Sequence, residues 1–209
     1  MIKFEHTEVV GWEHAIRGMR NPMNSWKQSD TQLLADIFCL GAKDYDLMMR
    51  LRNAGTDHRK YLRMITVYVD ITAPLYWWKE FDTYKVGTVA NSCSTMHKIH
   101  SKEFTLDDFS HEHMNEGSLG ALAFLIDVLN ANRTIFNALR DKDAWWQMIQ
   151  LLPSSYNQKR TLMLNYEVLA NIFKSRKNHK LDEWHDFCHW IETLPYYDLI
   201  IGGEINGTE

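Results

Sequence analysis

Proline is scarce in this 209-residue chain, four in all, and none gathers into a linker. The ten glycines are equally dispersed, and no repeat or low-complexity stretch breaks the pattern. The chain therefore reads as one domain over 1–201 with a short polar tail over 202–209. Three cysteines, Cys39, Cys93 and Cys188, are an odd, scattered set without CxxC spacing. That argues against a disulfide framework and points to reduced thiols in a cytoplasmic protein. Positive charge is not in excess, the net being -4. This argues against a general nucleic-acid surface but leaves room for a pocket gripping one phosphate. No uninterrupted apolar run approaches the roughly 20 residues of a membrane span. The opening MIKFEHTEVVGWEH also lacks a signal-peptide core, so no membrane partner is expected.

What the chain does have is an ordinary globular composition, 45% apolar and 12% aromatic. Leu33, Leu34, Ile37 and Phe38 recur at helical spacing and predict a helix over 29–40. A second helix fits 44–54, stopped by Gly55. Over 65–71, Ile65, Val67, Val69 and Ile71 alternate with polar residues, which predicts a half-buried strand. Pro74 opens a helix through Phe81. Further helices are predicted over 118–140, 144–152, 161–176 and 182–193. One clear strand among many helices gives a mixed α/β class.

Several segments are rich in chemistry. Between Tyr84 and His97, small polar groups (Thr88, Asn91, Ser92, Ser94, Thr95) offer hydroxyls and backbone N–H groups to an anion. The same residues equally suit a loop that caps its own backbone. The run HRKYLR gathers His58, Arg59, Lys60 and Arg63, either a phosphate grip or a solvated basic turn. Arg17 and Arg20, spaced i, i+3, share a helix face if that segment is helical. Arg176 ends IFKSR, where cations also suit a helix C-terminus. His185 and His189 are spaced i, i+4 and His111 lies near His113, but HDFCH lacks the glutamate of HExxH, and no metal is expected. Cys93 lies within NSCS, where it is either a reactive thiol or a small packing residue. Tyr76, Trp77 and Trp78 either stack on a ring ligand or pack in the core.

Two stretches resemble the flavin-dependent thymidylate synthases. In the first, His58 precedes the alternating strand, and YKVGTVANSCSTMH lies over the family pattern RHRxxSxNExSxRY, placing Asn91 and Ser94 on its Asn and second Ser. In the second, Leu152-Pro153 is followed at the family's distance by Asn165, then Leu169, Asn171 and Arg176. Together they cover about a third of the chain. The RHR triplet stands here as Tyr84-Lys85-Val86, the Glu as Ser92 and the following Arg as Met96. The phosphate-binding Arg before the LP pair aligns with Ile149.

The resemblance implies an α+β fold with a central, mostly antiparallel sheet flanked by helices, assembled as a homotetramer. It implies FAD as cofactor, with folate and NADPH if synthase activity is retained, and dUMP or a related pyrimidine nucleotide as substrate. Arg176 becomes the ring-polarising catalytic residue. His58, Lys85, Asn91, Asn165 and Asn171 become cofactor contacts. Ser92 and Ser94 become nucleotide contacts, and Arg17, Arg20 and Arg63, with Arg59 and Lys60 as further cations, are this chain's candidates to replace the family's missing arginines at the nucleotide. Two activities follow as expectations: methyl transfer to a uracil nucleotide, or nucleotide binding as a sensor or sequestering protein without catalysis.

Overall fold

The computed structural model describes residues 2–34 and 37–202, so the tail expected over 202–209 lies outside the described residues except for Gly202. In chain order the elements are β1 (Lys3–Val10), α1 (Trp12–Arg20), β2 (Gln32–Leu34), β3 (Ile37–Cys39), α2 (Ala42–Asn53), β4 (Thr66–Pro74), α3 (Leu75–Phe81), β5 (Val89–Ser92), α4 (Glu116–Leu139), α5 (Lys142–Leu151), β6 (Asn157–Asn165), α6 (Tyr166–Arg176), α7 (Asp182–Glu192) and α8 (Asp198–Ile201). A four-stranded sheet runs in the order β1-β4-β6-β5, and β2 pairs with β3. The class is mixed, helices with antiparallel sheet, as the sequence indicates.

β4 forms for the reason its alternation predicts: Ile65, Val67, Val69 and Ile71 are all buried, while Tyr68 is exposed. Two helix predictions are corrected. Over 161–176 the chain is strand up to Asn165 and helix only afterwards. Leu162 and Leu164 are two apart, so they share a strand face but cannot share a helix face, and both are buried. Asn165 starts the helix by accepting from the Val168 N–H at 3.0 Å. Over 29–40 there is a hairpin, with Leu33 opposite Phe38 and Leu34 opposite Ile37. The Asp30 and Thr31 N–H groups donate to the Asp44 carboxylate (3.1 and 3.0 Å), which anchors the chain just ahead of β2.

By internal contacts the described chain forms two units. Unit 1 comprises residues 2–5, Asp70–Thr83 and Ala90–Thr161. Its core is Ile99, Phe104, Phe109, Leu122, Ile126, Leu129 and Met148. Trp77 and Trp78 are fully buried here, so the aromatic run packs rather than facing a ligand. The Trp78 ring carries the Arg160 guanidinium at 4.2 Å. α4 is long and apolar enough to cross a membrane by length and composition alone. Counting uninterrupted apolar runs misses this because Asp127, Asn130 and Arg133 break the run.

Unit 2 comprises residues 6–69 apart from 35–36, Tyr84–Val89 and residues 162–202. Tyr166, Leu169, Ile172, Trp184, Phe187 and Ile191 are buried in it, with Met48, Leu62 and Trp12. Gly11, at φ +93°, is where only glycine fits: a Cβ there would lie 2.2 Å from the Met64 carbonyl oxygen.

Candidate functional site

In unit 1, a cleft of about 560 Å³ opens beside the segment that follows β5. Three lysines (Lys98, Lys102, Lys159), four hydroxyls (Thr72, Ser94, Thr95, Ser101) and the Asp108 carboxylate line it, with Phe104, Ile99 and Tyr156 as its apolar wall. Ser94 Oγ accepts from the His97 N–H (2.9 Å) and the Met96 N–H (3.2 Å), and lies 2.9 Å from His97 Nδ1. That is the self-capping arrangement the sequence allowed, and it fixes the hydroxyl at the cleft wall. Asn91 and Ser92 lie exposed on β5.

The electrostatics of this cleft are graded. Lys102 pairs with Asp108 at 2.6 Å, and Lys159 with Glu5 (3.0 Å) and Asp70 (3.1 Å). Hydrogen bonds from Lys159 to Glu5 and Asp70 push its pKa up, so it stays charged. Lys98 makes no ion pair among the described residues. Burial, then the charges of Asp108 and Cys93, pushes the Tyr156 hydroxyl up and keeps it neutral. Cys93 is exposed at the cleft, its backbone held by Lys159 and Gln158. One spare cation, two partly satisfied ones and fixed hydroxyls suit a phosphate monoester, and the apolar wall suits a ring. Sequence reasoning singled out Ser94 but missed all three lysines. Lys98 and Lys102 share the run HKIHSK, whereas Lys159 comes from β6, far along the chain, and no local pattern joins it to them.

The other predicted residues sit in unit 2. Arg176, at the end of α6, donates from Nε to the Tyr84 hydroxyl at 2.8 Å. Its guanidinium lies 4.6 Å from the centre of the Trp184 ring and 5.6 Å from that of Tyr84. Here a phenol meets this arginine. Asn165 spends its carbonyl oxygen on the α6 cap. Gly87, at φ +76°, passes so close that a Cβ would lie 2.9 Å from Asn165 Nδ2. Asn171 Oδ1 accepts from Arg59 at 3.3 Å, and Arg59 is paired with Glu167 at 2.9 Å. His58, Arg63 and Lys85 are exposed.

Arg17 and Arg20 are both on α1 with different surroundings. Arg17 is exposed, 3.2 Å from His14 Nδ1. Arg20 is buried and bound to Asp44 at 2.6 Å through Nε and a terminal nitrogen. Among the described residues no group of three or more His, Cys, Asp or Glu is arranged to hold a metal.

No family model matches the chain, and no curated protein sequence does. Solved structures do. Two structures of the flavin-dependent thymidylate synthase ThyX from Helicobacter pylori, both complexed with FAD and dUMP, align with TM-score 0.67 at 18% identity. The alignments cover 95% of this chain, and 95% and 94% of those chains. The likeness is one of fold: this chain has a ThyX-like fold from end to end.

Proposed function

We propose that the chain binds a pyrimidine nucleoside monophosphate, with dUMP the first to test, in the lysine-rimmed cleft of unit 1. The observation that carries this reading is the convergence of Lys98, Lys102 and Lys159 with Ser94, Thr95 and Ser101 around one cavity. The lysines and the Thr95 hydroxyl hold the phosphate, and the Phe104–Tyr156 wall takes the base. In this reading Arg176 has a structural role, tying Tyr84 to α6 and α7, and the protein acts as a sensor or sequestering protein. Titration calorimetry with dUMP tests it. Saturable binding lost in Lys98→Glu, together with a nucleotide-dependent rise in melting temperature, supports it. A folded protein whose stability no pyrimidine nucleotide shifts overturns it.

A second reading is methyl transfer to the uracil ring. It is favoured by the similarity to proteins complexed with FAD and dUMP together. His58, Lys85 and the free amide nitrogens of Asn165 and Asn171 are donors suited to flavin oxygens, though Lys85 is the only cation left of the triplet. The flavin, when bound, supplies hydride. This chain's own part is to hold the ring and direct the Arg176 charge, for which Arg176 must exchange Tyr84 for substrate. The visible absorption spectrum of the purified protein decides between the readings. A flavin band near one equivalent, followed by thymidylate formation with folate and NADPH, establishes the second. A colourless protein that takes up no added FAD removes it.

The assembly belongs to the same proposal, a single domain that forms a homotetramer around α4. Phe124 and Leu139 on this helix are 71% and 74% exposed, and Ile135 is exposed beside them. Gly120, Ala121, Ala131 and Ala138 leave room on the exposed side for a second helix to approach. Light scattering of wild type and Phe124→Lys checks it: a tetramer that dissociates in the variant is expected.

A further inference from the structure

Unit 2 contains a cleft of its own, about 300 Å³, that the nucleotide reading does not use. It lies between α1, the turn after it and the β2–β3 hairpin. Its walls are Ile16, Leu33, Trp26 and Phe38, with Arg17 and Glu13 among the lining residues. The volume is at the lower end of small-molecule sites, about 300–1,000 Å³, so one or two rings fill it.

Both aromatic walls are held in place. Trp26 is 49% exposed, yet its ring is anchored by Nε1–H donating to Asn21 Oδ1 at 2.8 Å. Phe38 stacks on the buried Trp12 ring, centroids 5.6 Å apart. The polar floor needs nothing from a ligand. Asp44 accepts from Arg20, from the hydroxyls of Ser29 (2.6 Å) and Thr31 (2.7 Å), and from the N–H groups of Asp30 and Thr31. Arg20 is consumed in that floor. Arg17 differs: it is exposed and, among the described residues, pairs with no carboxylate. Glu13 likewise pairs with no cation among the described residues.

We infer that this cleft is a second binding site, for a small planar aromatic acid. The ring lies against Trp26 and Phe38, the carboxylate meets the Arg17 guanidinium, and Glu13 accepts from an N–H on the ligand. The chemistry follows from the walls. Rigid aromatic faces favour a flat ring because both partners lose little freedom, and one cation beside them selects an anion over its neutral analogue. Nothing in this depends on nucleotide binding in unit 1.

Indole-3-acetate carries all three features, and saturation-transfer NMR with titration calorimetry on the full chain reads its binding. Saturable binding is expected, about tenfold or more tighter than that of the neutral indole-3-ethanol. Arg17→Gln removes that preference for the acid. Trp26→Leu weakens both ligands, with circular dichroism and melting temperature confirming that each variant is folded. Absence of saturable binding at millimolar acid, equal binding of acid and alcohol, or binding that neither variant alters overturns the assignment. Lys98→Glu leaves this binding unchanged, which keeps the test separate from that of the nucleotide site.

Discussion

Arg20 and Arg176 are both helix-terminal arginines that the sequence offers as ligand-gripping groups, and unit 2 treats them in opposite ways. Arg20 is 4% exposed and faces a carboxylate that is fully buried. Arg176 is half-buried, lies on the Trp184 and Tyr84 rings and donates to a phenol. A buried carboxylate fixes an arginine for good, because neither partner can leave without stranding the other's charge. Aromatic faces hold an arginine more weakly, so it can be drawn to an anion.

The largest effect expected is from breaking the first pair. Asp44→Ala or Arg20→Met strands one buried charge and should cost about 3–5 kcal/mol in urea denaturation. Acid should report on the same cluster. Burial pushes the Asp44 carboxyl up, but hydrogen bonds from Ser29, Thr31 and Arg20 outweigh it, and the folded pKa lies below the usual 3.8. A depressed carboxylate stabilises the fold above its unfolded pKa, and that contribution is lost as pH falls from there through the folded value. The stability difference between wild type and Asp44→Asn, followed by denaturation from pH 6 downward, should therefore shrink only below about pH 4.

Arg176→Met should cost less, about 1–2 kcal/mol, since Arg176 is only half-buried and water can reach the groups it leaves behind. A cost equal to that of Arg20→Met would end the contrast. Tyr84→Phe should be smallest, about 0.5–1.5 kcal/mol, because the ring stays while the hydrogen bond from Arg176 to the phenol goes. If the flavin-dependent reading holds, this variant also removes one of the contacts that keep Arg176 from substrate, and nucleotide affinity should rise rather than fall.

Sequence alone made β4 legible because a single period runs its whole length. β6 and α6 were merged because the period changes at Asn165 within one apolar run, and a window spanning the junction sees only the average. The β2–β3 hairpin was hidden for another reason. Asp44, from a later part of the chain, anchors the backbone just ahead of β2, a contact that no local window contains. The same long-range effect separates Arg17 from Arg20. Their i, i+3 spacing was readable, but which of them meets Asp44 was not. At the candidate site the local signal around Ser94 was legible, whereas Lys159 comes from β6, more than sixty residues further along.

The two units also constrain how the chain can be made. Unit 1 draws on three separate stretches and unit 2 on three others, alternating along the sequence. No single cut therefore separates one unit from the other, and neither can be trimmed away, transplanted or recombined as a cassette. During synthesis, unit 1 has all its parts once Thr161 has emerged, while unit 2 waits for α6 to α8. Until then α1, α2 and the hairpin leave the ribosome without the core they pack on. This makes the last fifty or so residues the step that commits the chain to its fold.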